Sequence, residues 1–369
     1  MFRGLFFQGK TNYEAQSLQA IAWKKFCKNK QGVFLLCFLG FVTLIAILGY
    51  LITPDSTPYA NEQILEIRLQ KPYSKVTFLS IRKQQAIKKR NFVDKMINGQ
   101  PSLFMLVPIS NYRVSADSIY VELLNESPPY NQASYGLASA QIIQKTYYLG
   151  TDRYGRDVLS QLIIGARVSL SVGFVSVFIA LIIGVFLGAV GGYFRGKIDD
   201  AIMWFINVVW SIPTLLLVIA ISFALGAGFW QIFVAIGLTM WVDIARVVRG
   251  QVISLREKEF VEASKVLGFK SLPIIFKHIL PNITGTIIVV AAANFASAIL
   301  TEASLSFLGI GVQPPMPSWG TMIKENYGYI ILDYAYLAII PGIAIMLLVL
   351  CFMLLGNIIR DILDVKDSG

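Results

Sequence analysis

Six stretches of the chain run for about 20 residues with little or no charge: 33–52, 168–193, 203–225, 230–248, 283–308 and 336–359. The fourth holds Asp243 and Arg246 and the fifth holds Glu302; the other four are uncharged. About 20 apolar residues span a bilayer core as a helix. Inside lipid a helix satisfies its own backbone hydrogen bonds, so it is the spanning element these lengths allow. The pattern predicts an all-α polytopic membrane protein with six transmembrane helices. The first starts some 30 residues in, exceeds a signal-peptide core, and is followed by no small-x-small cleavage pattern. It reads as a retained anchor.

Between the first two spans the pattern changes. Residues 64–69, 76–79, 103–107 and 119–124 carry the short apolar or alternating runs of strands. Residues 81–98 carry helical spacing stopped by Gly99. A small α+β insert over about 60–146 is expected within a segment 53–167.

Composition agrees with a membrane protein. Hydrophobic residues make up 55% of the chain and charged residues 15%, against about a quarter charged in soluble domains. Positive charge then orients the spans. Lys24, Lys25, Lys28 and Lys30 precede span one, Arg195 and Lys197 follow span two, and Arg360 and Lys366 follow span six. The segment 249–282 holds Arg249, Arg256, Lys258, Lys265, Lys270 and Lys277. Alternate threading puts all four groups on one side, so both termini are expected in the cytoplasm. The layout is then a tail 1–32, span 33–52, an extracytoplasmic segment 53–167, spans and loops 168–359 with a cytoplasmic loop 249–282, and a tail 360–369. The net charge of +10 follows largely from this bias, and nucleic acid is not needed to explain it. A basic cluster, Arg82, Lys83, Lys88, Lys89 and Arg90, lies in the exported segment. It reads as a solvated helix face or as a contact for an extracytoplasmic partner.

Candidate chemistry is sparse. Residues 4–11, GLFFQGKT, match G-x-x-x-x-G-K-[ST]. A phosphate loop needs a strand before it and a helix after it. Three residues precede Gly4, and Phe6 and Phe7 fill the loop. The stretch reads as an apolar tail touching the membrane surface. Cys27, Cys37 and Cys351 lie outside the segment 53–167, so no disulfide is expected there. His278 is the lone histidine. No metal site, nucleophile or catalytic residue is expected, and the chain is read as no enzyme.

The informative stretch is 261–282, VEASKVLGFKSLPIIFKHILPN. Phe260, Ala263, Val266 and Leu267 share a helical face, Gly268 suits a carboxyl cap, and Ser271 and Pro273 suit a second helix start. A helix tethered between two spans either lies on lipid headgroups or seats in a groove of a cytosolic partner. Glu262, Ala263, Gly268, Ile279, Leu280 and Pro281 resemble the EAA loop of permease subunits of bacterial ABC importers, with Ser264 where a second alanine is usual. LGTDRYGRDVLSQLIIGARVSL (149–170), ARVVRG (245–250), EASLSFLGIGVQPPMPSWG (302–320) and RDILD (360–364) are similar to the C-type subunit of the dipeptide/oligopeptide/nickel group. The resemblance runs from about 149 to 364, plus span one, and is silent on the insert.

The resemblance implies a type I permease fold that forms half of a pore with a second homologous permease. It implies two cytosolic ABC ATPases that bind ATP and Mg, with no cofactor in this chain, and an extracytoplasmic peptide-binding protein. Glu262, Ala263, Ser264, Leu267, Gly268, Ile279 and Pro281 are then the ATPase-coupling residues. The setting is a bacterial cytoplasmic membrane. Peptides lead as cargo, with nickel chelates, glutathione and antimicrobial peptides behind.

Other residues keep two readings. Asp243 and Arg246, three apart, pair with each other or form a gate or ATPase-side charge with Arg249. Glu302, near Ser304 and Ser306, meets a peptide amino terminus or ties down the segment after span five. Pro213 kinks span three. Gly184, Gly188, Gly191 and Gly192 allow close helix packing. Asp152–Arg156 and Arg153–Asp157 have the spacing of pairs on a surface helix, or contact the binding protein. A stand-alone channel or secondary transporter is the rival class, with charges in several spans and broken helices in two matching halves; neither is visible here.

Overall fold

The computed structural model describes residues 18–84, 90–115, 118–124, 132–136, 140–226 and 228–364. The stretch 4–11, Lys88, Lys89 and Lys366 lie outside them.

Helix α1 (Leu18–Lys28) leads through Asn29 into α2 (Lys30–Ile52). The Asn29 side chain accepts from Gly32 N at 2.9 Å, capping α2. After the insert come α4 (Val158–Phe194), α5 (Gly196–Trp210), α6 (Thr214–Leu225), α7 (Phe229–Arg256) and α8 (Glu259–Val266). A turn α9 (Ser271–Pro273), a π-helical stretch Ile274–Ile279 and α10 (Leu280–Leu308) form one continuous rod. Helices α11 (Trp319–Asn326) and α12 (Tyr336–Asp364) complete the order.

Among the described residues, five helices are long and apolar enough to cross a membrane, and a sixth span arises only if α5 and α6 count as one. The expected kink in span three is a break: α5 and α6 meet at 93°. Pro213 sits before the first turn of α6, where its missing N–H costs nothing, and it disfavours helix at Ile212. The arms, 15 and 12 residues long, reach about 22 and 18 Å at ~1.5 Å per residue.

Helix α7 is the centre of the bundle. Two-thirds of its most apolar window is buried, more than in any other span, although its hydropathy is the lowest of the five. It lies against α4 through glycine. A Cβ at Gly184, Gly188 or Gly192 would sit 2.7, 2.5 or 2.7 Å from the carbonyl oxygens of Trp241, Ala245 and Arg249. Glycine every four residues therefore lets two backbones touch. Gly191, the fourth glycine of that stretch, faces Asp199 instead.

The insert is a five-stranded antiparallel sheet in the order β4-β3-β2-β1-β5. The strands are β1 (Ser74–Arg82), β2 (Phe104–Val114), β3 (Ser118–Leu123), β4 (Gln132–Gly136) and β5 (Ala140–Tyr147), with α3 (Phe92–Asn98) between β1 and β2. Two expectations differ from this. Residues 64–69 hold a short 3-10 turn, Leu65–Ile67, whose backbone pairs with the loop before α4. Residues 81–82 belong to β1, and the helix starts at Phe92. Phe78, Leu79 and Ile67 are fully buried in and beside the sheet.

Candidate functional site

Helix α8 follows the end of α7 and is held by Val261, fully buried in the core cluster that also contains Ile274 and Ile275; Ser264 is buried on the same helix. The Ser264 hydroxyl donates to Phe260 O at 2.8 Å. Glu259 and Glu262 occupy the first turn and Lys265 the last, the signs the helix dipole favours. The helix ends in a Schellman turn. Phe269 N bonds Ser264 O at 3.2 Å, Gly268 N bonds Lys265 O at 2.9 Å, and Gly268 has φ 81°.

This turn presents apolar side chains outward. Val266 is 88% exposed, Leu267 75% and Phe269 51%, next to exposed Ala263 and Glu262. Of the expected coupling residues, Glu262, Ala263, Leu267, Gly268 and Pro281 are on the surface. Ser264 and Ile279 are buried and hold the turn from behind. Pro281 is accommodated because the π-helical stretch shifts the register: Leu280 N bonds Ile275 O, five residues back.

The charges of α7 correct the expected Asp243–Arg246 pair. Arg246 instead donates to Asn207 Oδ1 at 3.0 Å and stacks over Trp210 at 3.9 Å, while Asp243 is exposed. Arg249 grips Asp199 in a fork, Nε to Oδ1 2.5 Å and Nη2 to Oδ2 2.6 Å. So α5 is clipped to α7 at the α8 end. Sequence spacing proposes partners only on the same helix, and Trp210, Asn207 and Asp199 lie 36, 39 and 50 residues from the arginines they meet.

At the other end, Glu302 is fully buried and accepts from the Ser306 hydroxyl at 2.6 Å. That hydroxyl in turn accepts from Val312 N at 3.1 Å. Of the two readings, this geometry fits the tie on the segment after α10. Ser304 takes no part; it bonds Leu300 O. The expected surface helix 152–157 is a tight loop closed by the bridge Thr151↔Asp157. Asp152 pairs with Arg156 there at 2.6 Å, but Arg156 also pairs with Glu325 of α11. Asp157 does not pair with Arg153. It caps α4, accepting from Ser160 N at 2.8 Å, and Arg153 stacks on Tyr154 at 4.6 Å. Asp152, Arg156 and Asp157 are 1, 6 and 5% exposed, so an outside protein reaches only Arg153 of the four.

A multi-pass helical membrane protein with an exposed apolar turn between two of its long helices is the class this geometry defines. Residues 172–366 match the family described as binding-protein-dependent transport system inner membrane component, and residues 17–72 match the N-terminal TM domain of oligopeptide transport permease C. The first match takes in just over half of the chain, which belongs to that family of inner membrane transport components. Oligopeptide transport system permease protein OppC of Haemophilus influenzae is 40% identical over 239 residues, 64% of this chain and 76% of that protein. Glutathione transport system permease protein GsiD of Pectobacterium atrosepticum is 38% identical over 64% of this chain and 76% of its own length. Dipeptide transport system permease protein DppC of Alkalihalophilus pseudofirmus is 43% identical over 60% and 72%.

Proposed function

We propose that the chain is the C-type permease of an ATP-driven importer whose cargo is peptide. It forms half of a pore with a second, homologous permease. Two cytosolic ABC ATPases hold ATP and Mg below it, and an extracytoplasmic binding protein delivers cargo from above. Counting α5 and α6 as one broken span makes six spans, puts both termini and α8 in the cytoplasm, and puts the sheet outside. The chain itself does no hydrolysis.

The observation that carries this reading is the α8 turn. Three large apolar side chains in water are unfavourable at about 25 cal/mol per Å², and a Schellman turn locks them in one place. That is the shape of a rigid plug for a groove in a partner. Because α8 is joined to α7 and α10 at its two ends, displacement of the plug moves two spans. Peptide as cargo is supported by the names of the relatives, which share peptide bonds and differ in length.

The test is affinity purification of the full chain from gently solubilised membranes with mass spectrometry of what accompanies it. A second permease and ABC ATPases are expected, with the ATPases lost in Glu262→Lys or Leu267→Asp while the second permease stays. A chain that comes down alone, or keeps its ATPases in both variants, overturns the reading.

A further inference from the structure

Helix α3 of the insert is amphipathic, and its apolar side is exposed among the described residues. Phe92 is 69% exposed, Val93 59% and Ile97 55%. Seven residues make too short a helix to persist in water alone, yet this one is pinned at several points. Arg90 Nη1 donates to Asn98 O and Gly99 O at 2.7 and 2.8 Å, closing its carboxyl end. Gly99, at φ 71°, packs where a Cβ would meet the Tyr50 ring at 3.0 Å.

The strongest pin is Arg167 of α4. Its guanidinium donates to Ile97 O at 2.7 Å and Met96 O at 3.0 Å in α3, and to Ala46 O at 2.9 Å and Ile47 O at 3.0 Å in α2. It also lies over the Tyr50 ring at 4.9 Å. One side chain thus fixes α3 to two spans, at a known height. Ala46 is six residues short of the end of α2 at Ile52, which is about 9 Å along the axis. Amphipathic helices that lie in a bilayer surface sit about 5–10 Å into the headgroup–acyl boundary.

The apolar face is also continuous with the spans. Leu44 and Ile47 of α2 and Phe174 and Phe178 of α4 are more than half exposed. A groove of about 340 Å³ joins Ile47 and Phe174 to Ile97 of α3, and Thr43, Leu170 and Arg167 also line it. All of Arg167's hydrogen-bond partners are carbonyls, so its charge meets no carboxylate in those contacts.

We propose that α3 is a membrane-surface anchor for the insert. It lies in the leaflet on the sheet side, with Phe92, Val93 and Ile97 among phospholipid chains and Arg167 at headgroup depth, so the sheet stands on the bilayer in a set orientation. This goes beyond the transport role and does not depend on the cargo.

The test places a nitroxide at Val93→Cys in the full chain, with Cys27 and Cys37 replaced by Ser, reconstituted in phosphatidylcholine–phosphatidylglycerol vesicles. Collision with oxygen is compared with collision with a water-soluble nickel chelate. Labels at Tyr120, exposed on β3, and Phe178, exposed on α4, are the water and acyl references. The oxygen-to-nickel ratio at Val93 is expected several-fold above that at Tyr120 and near that at Phe178. A ratio equal to that at Tyr120 overturns the proposal, and so does protection from both reagents, which means a protein covers the face. Ile97→Cys carries the same label should Val93→Cys fail to fold.

Discussion

The two ends of the helical bundle break opposite rules. At the α8 end, Val266, Leu267 and Phe269 are exposed apolar side chains. At the insert end, Asp152, Arg156 and Asp157 are nearly inaccessible. The apolar groups of this turn are not needed for attachment, because Val261 is the side chain of α8 that enters the core. The charged groups are committed: Arg156 holds Asp152 of its own loop and Glu325 of α11 together. One end therefore keeps its apolar side chains open to contact, and the other ties its charges into the fold; this contrast fits the proposed importer, in which the α8 end meets the ATPases.

The largest effect should come from breaking the frame. Arg156→Ala leaves the buried Asp152 and the half-buried Glu325 without their cation, and losing one partner of a buried pair costs about 3–5 kcal/mol. A steep fall in melting temperature and in yield of folded chain is expected, with Asp152→Ala similar. If Arg156→Ala melts like the native chain, the loop is not the frame.

Next is the turn itself. Gly268→Ala puts a side chain at φ 81°, a left-handed conformation that costs about 1–2 kcal/mol. A Cβ there meets open space, so the cost falls on the turn alone. A small drop in melting temperature is expected, together with weakened ATPase capture in the same preparation.

Leu267→Asp sharpens the contrast. A substitution on an exposed surface shifts stability by at most about 0.5 kcal/mol, so melting should be unchanged while ATPase association is lost. A large loss of stability instead would mean Leu267 packs inside.

The smallest effect is a pH dependence of the insert end. Burial pushes the Glu62 carboxyl up, against the pull of Lys145, and burial likewise pushes Asp157 up. For a raised folded value the stabilising contribution is full below the ordinary carboxylate range and is lost as pH rises through the raised value. Melting temperature should therefore rise on mild acidification from neutral, and Asp157→Asn should flatten part of that slope. A melting temperature that falls over the same range would contradict the sign.

Much of the helical architecture is legible in the chain. Positions 33–52, 168–193 and 336–359 all fall inside α2, α4 and α12, because a bilayer demands a long local run of apolar residues. The cap at Gly268 is equally local, since a left-handed residue at a helix end calls for glycine. Strand β5, AQIIQKTY, is not legible in the chain because its one apolar pair, Ile142 and Ile143, sits among polar residues without alternation. The α5–α6 break was read only as a kink, since sequence marks Pro213 but not the angle the two arms take.

Hydropathy, charge bias and cap residues act within a turn or a span, so the sequence by itself determined which five helices are long and apolar enough to cross a membrane and that a turn interrupts 261–282. Which face of α8 looks outward was settled by Val261 entering the core cluster that also holds Ile274 and Ile275. Partners of the charged residues were likewise a matter of packing: Arg249 with Asp199, Arg246 with Asn207, Arg156 with Glu325 and Arg167 with two helices at once. Such contacts join residues 39 to 169 apart. A buried charge takes whatever opposite group or carbonyl folding brings within reach, and only the tertiary structure decides which that is.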